Sequence, residues 1–357
     1  MQRADLTAPP SLAARWQHTV WTGQLPTFTP PLGIDEIAGL ALLDDVESLL
    51  VETIRSDNEV RYQSRQGPFT AQELGDLGER DWTLLVRDID RHLPELAGLW
   101  SHFSWLADWR RADIMVSIAA PGGSVGPHFD SYDVFLVQGH GERAWQLASG
   151  AAGRPVPGSE LRLVECDAFS DAFDAAPGDV LYVPPGHIHH GVATSLCSTW
   201  SFGLQAPLLE DIAAMLDLET ADRDRGVRFR DAGLPLRLRA GEIPEPVGDC
   251  ISLTQISSTD VIDAVGRLTS QFKPNFESLG HSVSEAPARL HPWTRIYWSL
   301  QSDTLQIYCN GQQAAFDPVL LDSAIALCET RTLPAAAEHA LMPWLASVGA
   351  FAETDTA

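Results

Sequence analysis

The sequence predicts an α+β protein, mainly β with added helices, whose middle third is a sandwich or barrel of antiparallel strands. Three observations predict it. From about residue 113 the chain breaks into short runs of β-branched, aromatic and leucine residues, each bounded by Gly or Pro turns. Segments before and after this region carry apolar residues at three- and four-residue steps instead, the helical period. Near the C-terminus strand-like runs return, flanked by helical ones.

Taken in order, residues 1–112 mix apolar segments with loops and include "IDEIAGLALLDDVESLLVETI" (34–54), whose Leu and Ile spacing predicts a helix. Strands are predicted in "DIMVSIAAPGG", "YDVFLVQGHGERAWQLA", "GDVLYVPPGHIHHGVAT" and "TWSFGLQAP". After Pro207, "LLEDIAAMLDLETADRD" has an apolar stripe and a charged outer face, so it reads as a helix. The Pro/Gly-rich "AGLPLRLRAGEIPEPVGD" interrupts it, and a second helix is predicted over about Ser258–Gln271. "TRIYWSLQSDTLQIYCNGQQAAF" reads as two strands flanking a turn, with Asn310-Gly311 as a further turn signal. Helical "DPVLLDSAIALCET" and "AAAEHALMPWLASV" complete a small α+β module, and no internal repeat is visible.

A chain of 357 residues is longer than one ordinary domain, and 45% hydrophobic with 20% charged residues is a globular composition. No apolar run approaches the ~20 residues that span a bilayer, and the N-terminus lacks a basic stretch followed by an apolar one. A cytoplasmic location is the expectation. Cys166, Cys197, Cys250, Cys309 and Cys328 are odd in number and never closely paired, which argues against a disulfide framework or a thiolate zinc site. A net charge of −24 disfavours direct contact with nucleic acid, because phosphates need clustered Lys and Arg. It suits a basic protein partner, and equally a chain that only needs to stay soluble.

The chemistry concentrates in "GPHFDSYDVFLVQGHGERAW" (126–145) and "GDVLYVPPGHIHHGVA" (178–193). His128 and Asp130 are two apart, so in an extended segment both side chains project from one face. Two His and one carboxylate on one side of a metal leave three positions open, the arrangement of non-haem Fe(II) oxygenases. The third ligand lies in "HIHH" (187–190), where His187 and His189 share strand parity and His190 points the other way; spacing leaves the choice open. The plainer alternative is a hydrogen-bonded His/Asp pair closing a strand, with surface histidines elsewhere.

These segments, with "QGPFTAQELGDLGERDWTLLVRDIDRH" and "LADWRRADIMVS" upstream, resemble the JmjC-type double-stranded β-helix (the cupin-type barrel) of bacterial ribosomal oxygenases, which depend on Fe(II) and 2-oxoglutarate. The likeness covers roughly residues 30–210 and is strongest to the members that hydroxylate an arginine β-carbon of the sixteenth large-subunit ribosomal protein. It implies that His128, Asp130 and His189 ligate iron. It implies that 2-oxoglutarate takes two open metal positions and sets its distal carboxylate on Arg143, whose guanidinium forms two parallel hydrogen bonds. Thr199 and Ser117 are candidate hydroxyl contacts, Tyr132 is a candidate substrate contact, and His187 and His190 are expected to be exposed turn residues.

The resemblance further implies a JmjC catalytic domain over 1–209 with its barrel at about 95–209, a helical dimerisation segment over 210–285, and a winged-helix-like domain over 286–357. That last region holds few basic residues, Arg289, Arg295 and Arg331 among them, so protein contact is expected of it in place of DNA. The implied partners are a large-subunit ribosomal protein and a second copy of the chain, with no direct nucleic acid and no membrane. Three alternatives stand beside this reading: the same chemistry on a ribosomal-protein histidine, on another substrate such as methylated lysine or a small metabolite, and a metal-stabilised binding module without turnover.

Overall fold

The computed structural model describes residues 2–3, 16–57, 59–149, 153–159, 161–220, 222, 225–231, 237, 239–250, 256–271 and 288–351. Strands predominate and helices accompany them, as the patterning predicts. The chain divides into two compact units, residues 1–102 with 112–205 and residues 103–111 with 206–357. No helix among the described residues is long and apolar enough to cross a membrane.

The first unit contains, in chain order, β1 (Gln2–Arg3), β2 (Trp21–Gln24), α1 (Ile34–Leu40), β3 (Ser48–Arg55), β4 (Val60–Gln66), α2 (Ala71–Gly75), β5 (Trp82–Val86), α3 (Ile89–His92), β6 (Arg111–Ala119), β7 (Asp133–Gln138) and β8 (Arg143–Ala148). It continues with β9 (Gly153–Pro155), β10 (Val164–Cys166), β11 (Asp171–Ala175), β12 (Asp179–Val183), β13 (Ile188–Ala193) and β14 (Cys197–Leu204). Nine strands form one sheet in the order β1-β2-β12-β7-β14-β6-β5-β3-β4, and three form a smaller one, β11-β8-β13. Val134, Leu136, Leu181 and Val183 of the large sheet pack against Trp145, Leu147 and Ala175 of the small one. Alternation with period two selects these side chains, since only every second residue of a strand faces the opposing sheet.

The helix expected over 34–54 is corrected: it ends at Leu40, and 48–55 is strand β3, paired with β4 on one side and β5 on the other. Leu50, Val51 and Thr53 are buried there, and two flanking ladders satisfy the backbone. Apolar residues at three- and four-residue steps also fit a short β-rich run, and pairing with neighbours overrides the local period.

The second unit contains α4 (Leu209–Met215), α5 (Ser258–Ser270), β15 (Ile296–Gln301), β16 (Thr304–Cys309), β17 (Gln312–Phe316), α6 (Leu321–Thr330) and α7 (Glu338–Ser347). The helix after Pro207 is shorter than its pattern suggests: it stops at Met215, and Asp217 adopts a left-handed φ of 54°. α5 matches its predicted span, with Ser257 as a capping residue that accepts from the Asp260 N–H. The expected two strands near the C-terminus are three, because Asn310-Gly311, both at positive φ, turns the chain once more. Trp298, Leu305 and Ile307 join the core with Leu327, Leu341 and Leu345, while Tyr297 and Tyr308 join Val261 and Val265 of α5. Part of the predicted connection at 232–249 lies outside the described residues. Cys166, Cys197, Cys309 and Cys328 are free thiols, as expected.

Gly191 on β13 stands opposite Trp145 on β8, and an added Cβ there would lie 2.6–2.9 Å from three atoms of the Trp145 ring. Gly191→Ala is therefore expected to destabilise the first unit by about 1–3 kcal/mol. Urea unfolding followed by tryptophan fluorescence checks this; an unshifted midpoint would show that the sheet has slack at this point.

Candidate metal centre

The segment that follows β6 runs through Gly126 and Pro127 and meets β13 at one isolated antiparallel bridge, His128 to His189. His189 N–H donates to the His128 carbonyl at 2.9 Å and His128 N–H returns to the His189 carbonyl at 3.2 Å. Directly opposed residues project from the same face, so the two imidazoles lie together, their ring centroids 4.2 Å apart. Asp130, two residues on, brings a carboxylate oxygen to 3.6 Å from His189 Nε2. One ligand atom from each of His128, Asp130 and His189 lies within 4.8 Å of the others.

Each imidazole is oriented by its own chain. His128 Nδ1 is 2.9 Å from the Gly126 carbonyl and His189 Nδ1 is 3.2 Å from the His187 carbonyl. A carbonyl only accepts, so Nδ1 carries the proton in both rings and Nε2 keeps its lone pair. Burial reinforces this at His189, which is 2% exposed. Desolvation, with the neighbouring His128, pushes its pKa down to about 4 against the opposing pull of Asp130, leaving it neutral at ordinary pH. Two imidazole nitrogens and a carboxylate oxygen are a fitting donor set for a divalent first-row ion with open positions.

These residues stand at a cavity of about 410 Å3, within the ~300–1,000 Å3 range of small-molecule sites. Arg143, Thr199, Ser117 and Tyr132 all line it. Arg143 begins β8, which pairs Leu147 with His189 and Arg143 with Ala193. Its four-residue offset along the strand corresponds to about 13 Å from the level of His189. Arg143 is 4% exposed; among the described residues Nη2 reaches Cys197 Sγ at 3.8 Å and Nε has no partner, and the Trp145 ring lies 5.7 Å from the guanidinium. No carboxylate among the described residues pairs with Arg143. A buried cation without a counter-ion is costly, so this wall of the cavity is built for an anion. Thr199 hydroxyl donates to Gln138 Oε1 at 3.1 Å.

Two expectations change here. His190 is not an exposed turn residue: it lies on the outer face of β13, half-buried, with Nε2 3.3 Å from the Tyr62 hydroxyl and Nδ1 3.3 Å from Gln146 Oε1. Burial, with the charges of His128 and Arg55, pushes its pKa down to about 4. His187 is likewise half-buried and stays outside the triad. Inspection of the sequence also missed Asp113, Phe129 and Arg162, which line the same cavity. Asp113 shares parity with Ser117 on β6, a signal that a face-by-face reading of that strand contains.

Residues 98–212 match the family model described as the JmjC domain. Residues 98–212 carry a JmjC domain, and the chain is similar to proteins named as ribosomal oxygenases. A protein of Haemophilus influenzae named "Probable ribosomal oxygenase" is 36% identical over 222 residues, 61% of this chain and 54% of that protein. The ribosomal protein uL16 3-hydroxylase of Escherichia coli is 34% identical over 246 residues, 67% of this chain and 63% of that protein. The matched part thus spans between half and two thirds of those relatives. Among solved structures, Escherichia coli YcfD superposes with a TM-score of 0.71 at 26% identity, covering 99% of this chain and 100% of that one. A YcfD structure in complex with cobalt and 2-oxoglutarate superposes with a TM-score of 0.69, again at 26% identity, over 96% of this chain and 97% of that one. The His128, Asp130 and His189 cluster lies inside the JmjC domain.

The depressed pKa values of His189 and His190 fix a sign for the metal-free chain. In the unfolded state both titrate near 6.5, in the folded state near 4. Between those values the unfolded chain binds more protons, so stability is held above about pH 6.5 and falls as pH drops toward 4. Urea midpoints across that window should decline, and His190→Gln should decline less steeply. A variant that tracks the parent would mean His190 is solvated.

Proposed function

We propose that the chain is an Fe(II)- and 2-oxoglutarate-dependent hydroxylase of a large-subunit ribosomal protein, acting on an arginine β-carbon. The observation that carries the reading is one cavity holding a two-histidine, one-carboxylate face and, further along β8, a buried guanidinium that pairs with no carboxylate among the described residues. Those two features, an open metal face and an anion socket, match the two ends of a keto diacid. A relative bears the name uL16 3-hydroxylase, and YcfD has been solved with cobalt and 2-oxoglutarate and with cobalt and succinic acid.

A ferrous ion at this site supplies the redox chemistry that couples decarboxylation of 2-oxoglutarate, giving succinate and carbon dioxide, to insertion of an oxygen atom from dioxygen into a C–H bond. The protein's part is placement. His128, Asp130 and His189 would hold the ion, and the cavity beside them would admit the cosubstrate. Arg143 takes the distal carboxylate with paired N–H donors, in a pocket dry enough to strengthen that contact. Val134, Leu136 and Trp145 give the same cavity an apolar lining. Thr199 and Ser117 offer hydroxyls on the same wall.

Asp113 places a carboxylate on the cavity wall, which complements a guanidinium, although Arg87 and Arg162 line the same cavity. Tyr132 and Phe129 line the same space, and the aromatic faces suit the flat cation. The net charge of −24 steers a basic ribosomal protein toward the chain at low salt. Pairing with a second copy of the chain is assigned to residues 210–285, and contact with protein to residues 286–357.

Arg143→Ala should raise the 2-oxoglutarate concentration needed for half-maximal succinate release by at least about tenfold, the loss of a charge-assisted pair. An unchanged requirement would mean that another cation holds the cosubstrate. Incubating the chain with Fe(II), 2-oxoglutarate and the candidate ribosomal protein should add one oxygen atom to an arginine, located by peptide mass spectrometry. Addition to histidine would move the substrate, and succinate release indifferent to any ribosomal protein would remove it.

A further inference from the structure

His128 owes its orientation to the Gly126 carbonyl, and Gly126 is itself held in place. It has φ of 81°, and an added Cβ would lie 2.5 Å from Leu163 Cδ2 and 2.8–2.9 Å from two ring carbons of Tyr62. The Tyr62 ring, on β4 of the large sheet, therefore lies flush against the Gly126 α-carbon. The other end of Tyr62 is tethered to the small sheet. His190 stands opposite Gln146 in the β13–β8 ladder, and its Nδ1 donates to Gln146 Oε1, which leaves Nε2 to accept from the Tyr62 hydroxyl. Phe169 stacks on the far side of the His190 ring at 6.0 Å. Ser124, wholly buried, accepts from the Gly126 N–H at 3.0 Å, so the glycine is fixed through its amide as well as its α-carbon.

We propose that Tyr62 is a positioning residue for the metal centre: its ring wedges Gly126 so that the Gly126 carbonyl holds the His128 imidazole with Nε2 aimed at the ion. Neither Tyr62 nor His190 touches the ligand atoms. Their effect runs through one backbone carbonyl. Without the ring, the φ-positive glycine, which has no side chain to anchor it, is free to rotate its peptide plane. The carbonyl then leaves Nδ1, and the imidazole is released to its other tautomer and to other rotamers. His189 is held independently by the His187 carbonyl, so the loss falls on one ligand of three.

The inference rests on the reading of His128, Asp130 and His189 as a metal site, and the test separates the two. Co(II) is titrated into the full-length chain and its visible absorption followed, with urea unfolding of the metal-free protein measured alongside. Binding by the parent and its loss in His189→Ala establish the site. Tyr62→Ala is then expected to weaken Co(II) at least about tenfold and Tyr62→Phe by a smaller factor, in the range of residues that orient metal ligands. The nitrogen-resolved NMR signal of His128 should lose its single Nδ1-protonated signature in Tyr62→Ala. Gln63→Ala, an exposed neighbour on β4, should bind as the parent does.

Parental Co(II) affinity and an unchanged His128 signature in Tyr62→Ala would overturn the proposal, even if the variant unfolded more readily, because a merely structural tyrosine lowers stability alone. Should Tyr62→Ala fail to fold, Tyr62→Phe decides: a weaker Co(II) site supports the tether, and parental affinity with an unchanged His128 signature refutes it. No Co(II) binding by the parent would sink the metal reading itself.

Discussion

A single antiparallel bridge between His128 and His189 organises the centre of this molecule. Two backbone hydrogen bonds place one loop residue opposite one strand residue, and that opposition sets two mutually tilted imidazoles side by side on the same face. Asp130 follows two residues later and so arrives on the same side. A slip of one residue in this register would send both His128 and Asp130 to the other face. The Gly-Pro turn before His128 and the Pro-Pro-Gly turn before His187 fix where each segment enters, so the register is set by turns as much as by the ladder.

Burial works in two directions around that bridge. At His189 it removes the proton and leaves a neutral donor nitrogen, which is what a metal requires. At Arg143 it isolates a permanent positive charge that no protein carboxylate neutralises among the described residues. Together they make a cavity that is incomplete by itself: a cation is called for at one end and an anion at the other. A bidentate keto diacid bound to a divalent ion satisfies both demands with one ligand, and Asp113 supplies a further negative contact on the wall.

Much of this was legible in the sequence because the site is built on strands, where parity of two states which residues share a face. The two-residue spacing pairs His128 with Asp130, whereas Arg143 follows from the family resemblance and Ser117 and Thr199 stand only as candidates beside it; all five line the cavity. The choice among His187, His189 and His190 was not legible from spacing, since two of them share parity; the bridge to His128 is a long-range fact that no local pattern contains. The burial of His190 was missed for the same reason, as Tyr62 lies 128 residues away. Residues 48–55 carry a helical period although they form a strand, because a β-rich run holds apolar residues at steps of three as readily as of two, and only the β4 and β5 ladders decide. The helix after Pro207 was overextended because an amphipathic pattern continues past Met215 while the backbone turns left-handed at Asp217.

The most direct measurement is a crystal structure of the chain soaked in Mn(II) with 2-oxoglutarate, using anomalous scattering to place the ion. The account requires one peak about 2.0–2.2 Å from His128 Nε2, an Asp130 oxygen and His189 Nε2, the reach of nitrogen and carboxylate ligands, with the distal carboxylate of the keto acid against Arg143. A peak held instead by His187 or His190, or a keto acid density away from Arg143, would contradict it.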